Sequence, residues 1–558
     1  MNELEDDKDL TPYAGRWVAR VRGRIVAQGE TAEIAAHAAR QSRTKEAPEI
    51  VFVPDPHTSF DTPLLEAIVK TLKPDQEIYL VGGAVRDFLL SRDTHDLDFV
   101  VPANGIRTAK LVAKAMKGAF FVLDEKSDTG RVILPQKNLS REVLDFASYR
   151  KNGLVADLSA RDFSINALAY NLRTKEFKDP VGGVKDLRSG VIRACSASTF
   201  KDDPVRILRA VRFAAALGYS IHKETRTRMK QSVDLLAQPS PERIRDELFK
   251  ILDGPKPTSV IRALDLLGGM PFLFPELLPL KGVEQPAPHV LDAWGHTLKA
   301  VDHLESINRV MNLHYNTDLA NDLLTGLLSM KLGRYRQNFR DHFEKSLTPE
   351  RSRRALLVLA VLYHDVGKSA TVTTNDERIQ FIGHEKAGSS IAVGRAIKLR
   401  MSNAEMDYLK VIVQNHMRMI QHINCYEREG KIPTRRAVYR FFRDTGESGV
   451  DLCFLALADL RATYENEMTQ SIWTAALDVV KIFLEDWWEK REQSITPPPV
   501  VDGHDLIGMF HLEPGPVIGR LLEAIKEAQA VGEIQTREDA IKLAEKWLIE
   551  RKNRKKAG

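Results

Sequence analysis

The chain has 558 residues, of which 43% are apolar and 28% charged, with a formal net charge of +5. That length exceeds what one hydrophobic core supports, so several domains are expected, and no apolar run reaches the ~18 residues that a membrane span needs. The three cysteines (Cys195, Cys425 and Cys453) are scattered without a C-x-x-C, which argues against a disulfide framework or a thiolate zinc site and fits a cytoplasmic protein.

The opening "MNELEDDKDLTPY" is acidic and polar, unlike a secretory or transit peptide. In residues 13–53, "RWVARVRGRIVAQG" predicts two short strands, "TAEIAAHAARQS" a helix and "EIVFVP" a strand. This small unit, placed at 1–57, shows no chemistry. The next segment, 58–185, predicts a mixed α/β domain with a sheet of about five strands: "EIYLVGG", "HDLDFVVP", "AFFVLD", "RVILP" and "VLDFASYR". Helices "PLLEAIVKTL", "AVRDFLLS" and "GIRTAKLVAKAMK" lie among them. After residue 185 nearly everything reads as helix, with breaks at "PELLPLKGVEQPAPH" and "ITPPPVVDGHDLIG". They divide the rest into a neck (186–285), a third domain (286–470) and a tail (471–558). The fold class is α+β: an α/β head, then all helix. "RTRMK", "RRAVYRFFR" and "ERKNRKK" are basic clusters, read as solvated faces unless another feature points to a polyanion.

In the head, "LVGGAVRDFLLSRDTHDLDFVV" sets two glycines and an arginine ahead of two acids spaced one apart. On a strand, Asp96 and Asp98 project to one face while Leu97 and Phe99 face the core. Paired carboxylates suit Mg²⁺, which takes substrate phosphates as further ligands, and two ions can serve attacking and leaving oxygens together. Gly82 and Gly83 let the backbone approach a phosphate, and Arg86 adds a fork of donors.

Gly-Gly-x-V-R-D followed by D-x-D resembles the head of class II tRNA nucleotidyltransferases and bacterial poly(A) polymerases, in the polymerase-β-like superfamily. "ARDFSINALAYN" (160–171) and "DDPVRILRAVRFAA" (202–215) resemble two further motifs of that family, with Ala160 and Asp202 departing from its usual Arg and Glu. The resemblance runs from about residue 78 to 250. It implies that Gly83 and Arg86 touch a triphosphate, that Asp96 and Asp98 bind metal ions and that Arg161 contacts the nucleotide. It also implies that Asp203 and Arg206 face the base, a carboxylate being able to accept from cytosine N4 or adenine N6. Arg209 and Arg212 share a helix face with Arg206 and are candidate ligands or neck ion-pair partners. Asp145 is a candidate third carboxylate or a plain strand acid.

A second constellation follows. "VLAVLYHDVGK" ends an apolar helix with His364 and Asp365, "WGHTLKAVDHL" offers His296, and "LALADLRAT" puts Asp459 in an apolar helix, where a carboxylate rarely sits unpaired. His384 and His416 lie between. The order H…HD…H…H…D resembles the HD phosphohydrolase superfamily over 290–465. Imidazole with carboxylate suits Mn²⁺, Ni²⁺, Fe or Zn²⁺. His296, His364, Asp365 and Asp459 form the minimal set; His384 and His416 would hold a second ion or a substrate phosphate.

Together these resemblances imply an enzyme adding CMP and/or AMP from CTP or ATP to the tRNA 3′ end, with Mg²⁺ at the head, a transition metal at the HD site and no membrane partner. The C-terminal "DGHDLIGMFHLEPGPVIGRLLEAIK" is similar to the tail of the same nucleotidyltransferases and points to tRNA. Poly(A) polymerase and CC- or A-adding enzymes share the motifs. An HD phosphohydrolase with an RNA-binding head, and a non-catalytic RNA scaffold, are the rivals from other classes.

Overall fold

The computed structural model describes residues 11–557 apart from 22–23, 31, 42–47, 54–59, 61, 93–95, 136–141, 316–321, 349–350 and 376–377. The chain divides into two compact units, Met1–Pro239 with Leu266–Gly269, and Ser240–Asp265 with Met270–Gly558. No helix among the described residues is long and apolar enough to cross a membrane.

The first unit begins with strands β1 (Trp17–Val21) and β2 (Arg24–Gly29), helix α1 (Ala32–Gln41) and strand β3 (Glu49–Phe52). The strands form a small antiparallel sheet in the order β2-β1-β3. Gly29 fits beneath α1 because it lacks a Cβ, which would meet Ala35 N at 2.6 Å.

Next come α2 (Pro63–Thr71), β4 (Tyr79–Val81), α3 (Gly83–Leu89), β5 (Asp96–Val101), α4 (Gly105–Met116), β6 (Ala119–Asp124), β7 (Thr129–Ile133) and β8 (Val143–Ser148). Helix α5 (Leu154–Ser159) and two short strands, β9 (Ala169–Asn171) and β10 (Phe177–Lys178), complete the sheet region. The sheet has seven strands in the order β10-β9-β4-β5-β8-β7-β6. The five expected strands are present; β9 and β10, only three and two residues long, extend it at the β4 edge and are too short to show a period in the sequence. Only β5 and β8 are parallel; the other neighbours are antiparallel. That pairing inserts β8 beside β5 and pushes the β6–β7 hairpin outward.

Local chemistry fixes the helix ends. Thr62 caps α2 through Leu65 N, with Pro63 at the first helical position. Asp128, from the turn before β7, accepts from Gly105 N at 2.8 Å and Ile106 N at 3.1 Å at the start of α4. Helix α4 covers one face of the sheet, over Phe99, Val132, Leu144 and Phe146, all at most 1% exposed. The opposite face is covered near β4 by Leu158, Ala167 and Ala169, which pack with Tyr79, Val81 and Val100. Helices α6 (Gly183–Ser189), α7 (Thr199–Asp202), α8 (Arg206–Leu217) and α9 (Lys223–Gln231) follow.

The second unit is almost wholly helical. Its central element, Ser448–Tyr464, is buried along nearly its whole length. It lies among Ala293–Val310, Arg353–Tyr363, Asn403–Glu429 and Gln470–Trp488. Such an all-round buried helix is apolar on every side, and its two acids, Asp451 and Asp459, therefore require partners. Asp451 finds Arg353 at 2.7 Å, His342 at 3.0 Å and Tyr408 Oη at 2.9 Å. The basic cluster at Arg435–Thr445 meets acids of Pro516–Ala530 and its following turn: Arg440 reaches Glu527 at 2.7 Å and Arg436 reaches Glu533 at 2.8 Å.

Candidate functional site

The first site lies on the sheet face away from α4. Strand register sets Asp96 beside Val143 and Asp98 beside Asp145, and laterally paired residues point the same way. Asp96, Asp98 and Asp145 therefore share one face. Asp96 and Asp98 keep solvent access, whereas Phe99 is 1% exposed on the other side. Desolvation by the surrounding protein raises the Asp98 pKa first, Asp145 and Asp96 add like charge, and Arg161 and Arg150 oppose them. A carboxylate at Asp98 that its surroundings and its acidic neighbours disfavour gains from a cation.

Asp145 is not a bare third acid. Its two oxygens accept from Arg131 Nε and Nη2, both at 2.8 Å. The sequence offered no sign of this partner, because β7 and β8 pair through register rather than through any motif.

Gly82 ends β4 with φ +75°, and its amide donates to Leu168 O at 3.2 Å. A Cβ there would lie 2.9 Å from Arg161 Nη1 and 3.5 Å from Asp98 Oδ2. The turn thus brings backbone, Arg161 and Asp98 together, and both the dihedral and the crowding demand glycine. Gly83 starts α3 directly behind it.

The arginines of the motifs are firmly held. Arg86, 8% exposed, donates to Asn166 Oδ1 at 2.7 Å and to both oxygens of Asp87. Arg161 pairs with buried Asp157 at 3.3 Å. Arg206 donates to the carbonyls of Ala160 (3.1 Å), Arg161 (3.4 Å) and Thr199 (3.5 Å), tying α8 to the 160–161 turn, and its Nε lies 3.9 Å from Asp203. Arg209 pairs with Asp162 at 2.7 Å. Burial would raise the Asp162 pKa, but the Arg209 charge and bonds from Asn166 and Arg209 hold it below the ordinary carboxylate value. Arg86, Arg209 and Arg212 gather around the Phe213 ring at 5.0, 5.3 and 4.3 Å. Asp87, Asp162, Asn166 and Phe213 are supports that the sequence reading passed over, although all four sit inside its own motifs.

The second site is buried in the helical unit. His296, His364 and Asp459 form one group of potential metal ligands, and Asp365, His384 and His416 another, with the ligand atoms of each within 4.8 Å of one another. Asp365 stands between them. Its Oδ2 lies 3.2 Å from His364 Nε2 and 3.6 Å from His296 Nε2, and its Oδ1 lies 3.5 Å from His384 Nε2 and 3.6 Å from His416 Nε2. Asp459 Oδ1 is 2.9 Å from His296 Nε2.

His364, His384 and His416 each place Nδ1 within 2.7–2.8 Å of the carbonyl three residues before. That bond fixes the tautomer and turns the Nε2 lone pair inward, as metal-bound imidazoles require. His296 and His364 are 0% exposed, and their Nε2 atoms lack a hydrogen-bond partner. Converging imidazoles around a carboxylate, two of them with an unpartnered Nε2 among the described residues and the Nε2 atoms of His384 and His416 3.2 Å apart, fit one or two transition-metal ions by donor chemistry. Without a metal ion, burial works against a charged His364 but Asp365 and Asp459 outweigh it and raise its pKa to about 8, so a bound ion would take the place of the proton on Nε2. Burial likewise opposes ionisation of Asp365, and the charges of His364 and Lys368 hold it well below the carboxylate range.

Two further polar side chains reach this site. Lys368 Nζ bonds Asp365 Oδ2 and Gln285 Oε1, both at 2.6 Å. The His289 ring lies 5.1 Å from that of His296. Lys368 was visible in "HDVGK" as the residue one helical turn past Asp365; His289 carried no signal, since it sits in the loop before the His296 helix.

The comparisons with known proteins agree with this geometry. Residues 78–193 match the poly A polymerase head domain, 218–280 a family described as the "probable RNA and SrmB-binding site of polymerase A", and 295–460 the HD domain. Residues 10–56 match a family of unknown function. The A-adding tRNA nucleotidyltransferase of Deinococcus radiodurans is 29% identical over 481 residues, covering 84% of this chain and 95% of that protein. The CC-adding tRNA nucleotidyltransferase of Thermus thermophilus is 29% identical over 479 residues, covering 83% and 92%. In structure, a CCA-adding enzyme in complex with ATP superposes with a TM-score of 0.54 at 21% identity, covering 87% of this chain and 98% of that one. That last likeness is one of fold.

Proposed function

For this chain, a member of the tRNA nucleotidyltransferase and poly(A) polymerase group with an HD domain, we propose addition of CMP and/or AMP from CTP or ATP to the 3′ end of tRNA. The observation that carries the reading is the set of acids Asp96, Asp98 and Asp145 in register on one open sheet face, flanked by the Gly82 turn. The names of the relatives supply the RNA and the nucleotides.

Asp96 and Asp98 would hold Mg²⁺. When bound, the ions neutralise phosphate charge and steady the attacking and leaving oxygens. The Gly82–Gly83 backbone and Arg161 would receive the triphosphate beside them. Asp203 and Arg206 would meet the base edge, and the bonds of Arg206 to the 160–161 turn would fix where that edge sits. Asp162, held by Arg209, and Asn166, held by Arg86, lock the motif's loop so that these groups do not drift. The five-segment division of the chain belongs to this proposal, with the tail as a tRNA-backbone contact.

The assay offers three tRNA transcripts, ending at the discriminator base, at C and at CC, with CTP and ATP separately and together. Growth by CC, by A, by CCA or by a long A-tail assigns the specificity. No growth on any of them refutes the reading.

A second activity is favoured by the paired ligand groups around Asp365: hydrolysis of a phosphoester at the HD site with Mn²⁺, Ni²⁺, Fe or Zn²⁺. Lys368 and His289 would face the phosphate there. Metal analysis of the purified protein together with phosphatase assays on nucleotide and RNA-end phosphoesters tests it; failure to retain any transition metal sinks it.

A further inference from the structure

The face that carries Asp96 and Asp98 continues past Asp145. Register pairs Asp98 with Asp145, Asp145 with Arg131, and Arg131 with Phe121. These four side chains form one row across β5, β8, β7 and β6, on the same side of the sheet. A second row, Asp96, Val143, Ile133 and Ala119, runs beside it. Helix α4 holds the opposite side: a Cβ on Gly130, which points that way, would lie 2.7 Å from Ala109 Cβ. On the open side Phe121 is 53% exposed, Ala119 is exposed, and Ile133 and Val143 are half-buried. Three interstrand spacings of ~4.8 Å put Phe121 about 14 Å from Asp98.

Position along this row has a chemical direction. The Gly82 turn lies on the β4 side of the acids, and Asp145 on the β8 side. In phosphoryl and nucleotidyl transfer the attacking and leaving oxygens are roughly in line across phosphorus. A triphosphate whose leaving end rests at the Gly82 turn must be attacked from the β8 side. On that side the acid-bearing face continues over β7 and β6.

We propose that the open face of β7 and β6 seats the single-stranded 3′ end of the RNA, with Arg131 against a backbone phosphate and Phe121 stacked under a base. The inference rests on the nucleotidyltransferase reading and adds where the acceptor lies. Arg131 gives Nε and Nη2 to Asp145, and no bond of its Nη1 is found among the described residues, so that nitrogen can donate to a phosphate oxygen while the pair couples the acceptor's position to an acid of the row. An exposed aromatic ring beside a cation on a sheet is a stacking platform that accepts any base.

The test uses the full-length protein and a tRNA transcript whose 3′-terminal base is 2-aminopurine, read by fluorescence without nucleotide. Stacking on Phe121 quenches the probe. The quench is expected in the wild type and in Phe121→Trp, and is expected to vanish in Phe121→Ala and Phe121→Leu. In extension assays Phe121→Ala should raise KM for tRNA about tenfold with KM for CTP and ATP unchanged. Equal quenching and equal KM in Phe121→Ala would overturn the proposal. So would a shift in the sedimentation of RNA-free protein on that substitution, which would mark the face as a contact between copies of the chain. Because the fluorescence needs no turnover, a wild type that extends no transcript would fail the nucleotidyltransferase reading separately and still leave the seat decided by the quench. Phe121 is exposed, so its replacement leaves the fold intact.

Discussion

The two candidate sites hold their charged groups in opposite ways. In the head, Asp96 and Asp98 stand on an accessible sheet face. In the helical unit, His296, His364 and His416 are 0% exposed and Asp365 is 2% exposed. An open acid pair can wait in water until a substrate arrives with its ions, whereas a buried cluster must be completed by internal partners or by metal, since isolated buried charge is costly. The helix Ser448–Tyr464 shows the alternative on a single element: Asp451 is satisfied by Arg353, His342 and Tyr408, while Asp459 faces the imidazoles.

The sharpest way to break the comparison is to remove one site and read both. Asp96→Ala should reduce nucleotide addition by roughly a thousandfold or more while transition-metal content stays as in the wild type. His364→Ala should do the reverse, lowering retained metal without slowing extension. Primer extension and elemental analysis on the same preparations check both; a variant that loses both readouts while folded would show that the sites are not separate.

Next in size is the buried network that needs no metal. Arg353→Met leaves Asp451 without its guanidinium, and removing one partner of a buried pair costs about 3–5 kcal/mol. Urea unfolding followed by tryptophan fluorescence should show that loss in the helical unit. At the open site, Gly82→Ala should cut kcat/KM for the nucleotide by about tenfold or more through backbone strain of ~1–2 kcal/mol and a clash with Arg161, with little change in melting temperature.

A smaller effect comes from His342. Burial pulls its pKa down, but the Asp451 charge and hydrogen bond, with Glu447, outweigh that and leave it raised above 6.5. The native state therefore keeps a proton that the unfolded chain releases near pH ~6.5. Its stabilising contribution is full below that pH and is lost as pH rises through the raised value. Unfolding free energies measured across that window should fall with pH, and His342→Gln should flatten the slope. Smallest of all, Arg440→Ala removes an exposed guanidinium from a Glu527 that Arg436 still holds at 3.0 Å and should change stability by no more than ~0.5 kcal/mol. A marked loss of tRNA affinity in that variant would show that this cluster also contacts RNA.

Much of the head was legible. The i, i+2 rule put Asp96 and Asp98 on one face, and the pattern of apolar runs located the main strands. Asp145 could be named as a candidate only through the resemblance to the nucleotidyltransferase head, with a plain strand acid as the alternative. Its arginine could not, and neither could the row through Phe121, because β8 inserts beside β5 out of chain order. The basic cluster at 435–443 looked the same in sequence whether it met RNA or Glu523, Glu527 and Glu533.

The amino-acid sequence by itself determined the local chemistry: which residues alternate on a strand, which glycine can take a positive φ, and which helix is apolar enough to be buried with its acids. Those follow from short-range sterics and from the periods of helix and strand. Tertiary structure alone decided that Asp145 is shared with Arg131 and that Asp365 stands between two imidazole groups. Lateral strand order and helix packing join residues far apart in the chain, and no spacing along the chain encodes the distance between them.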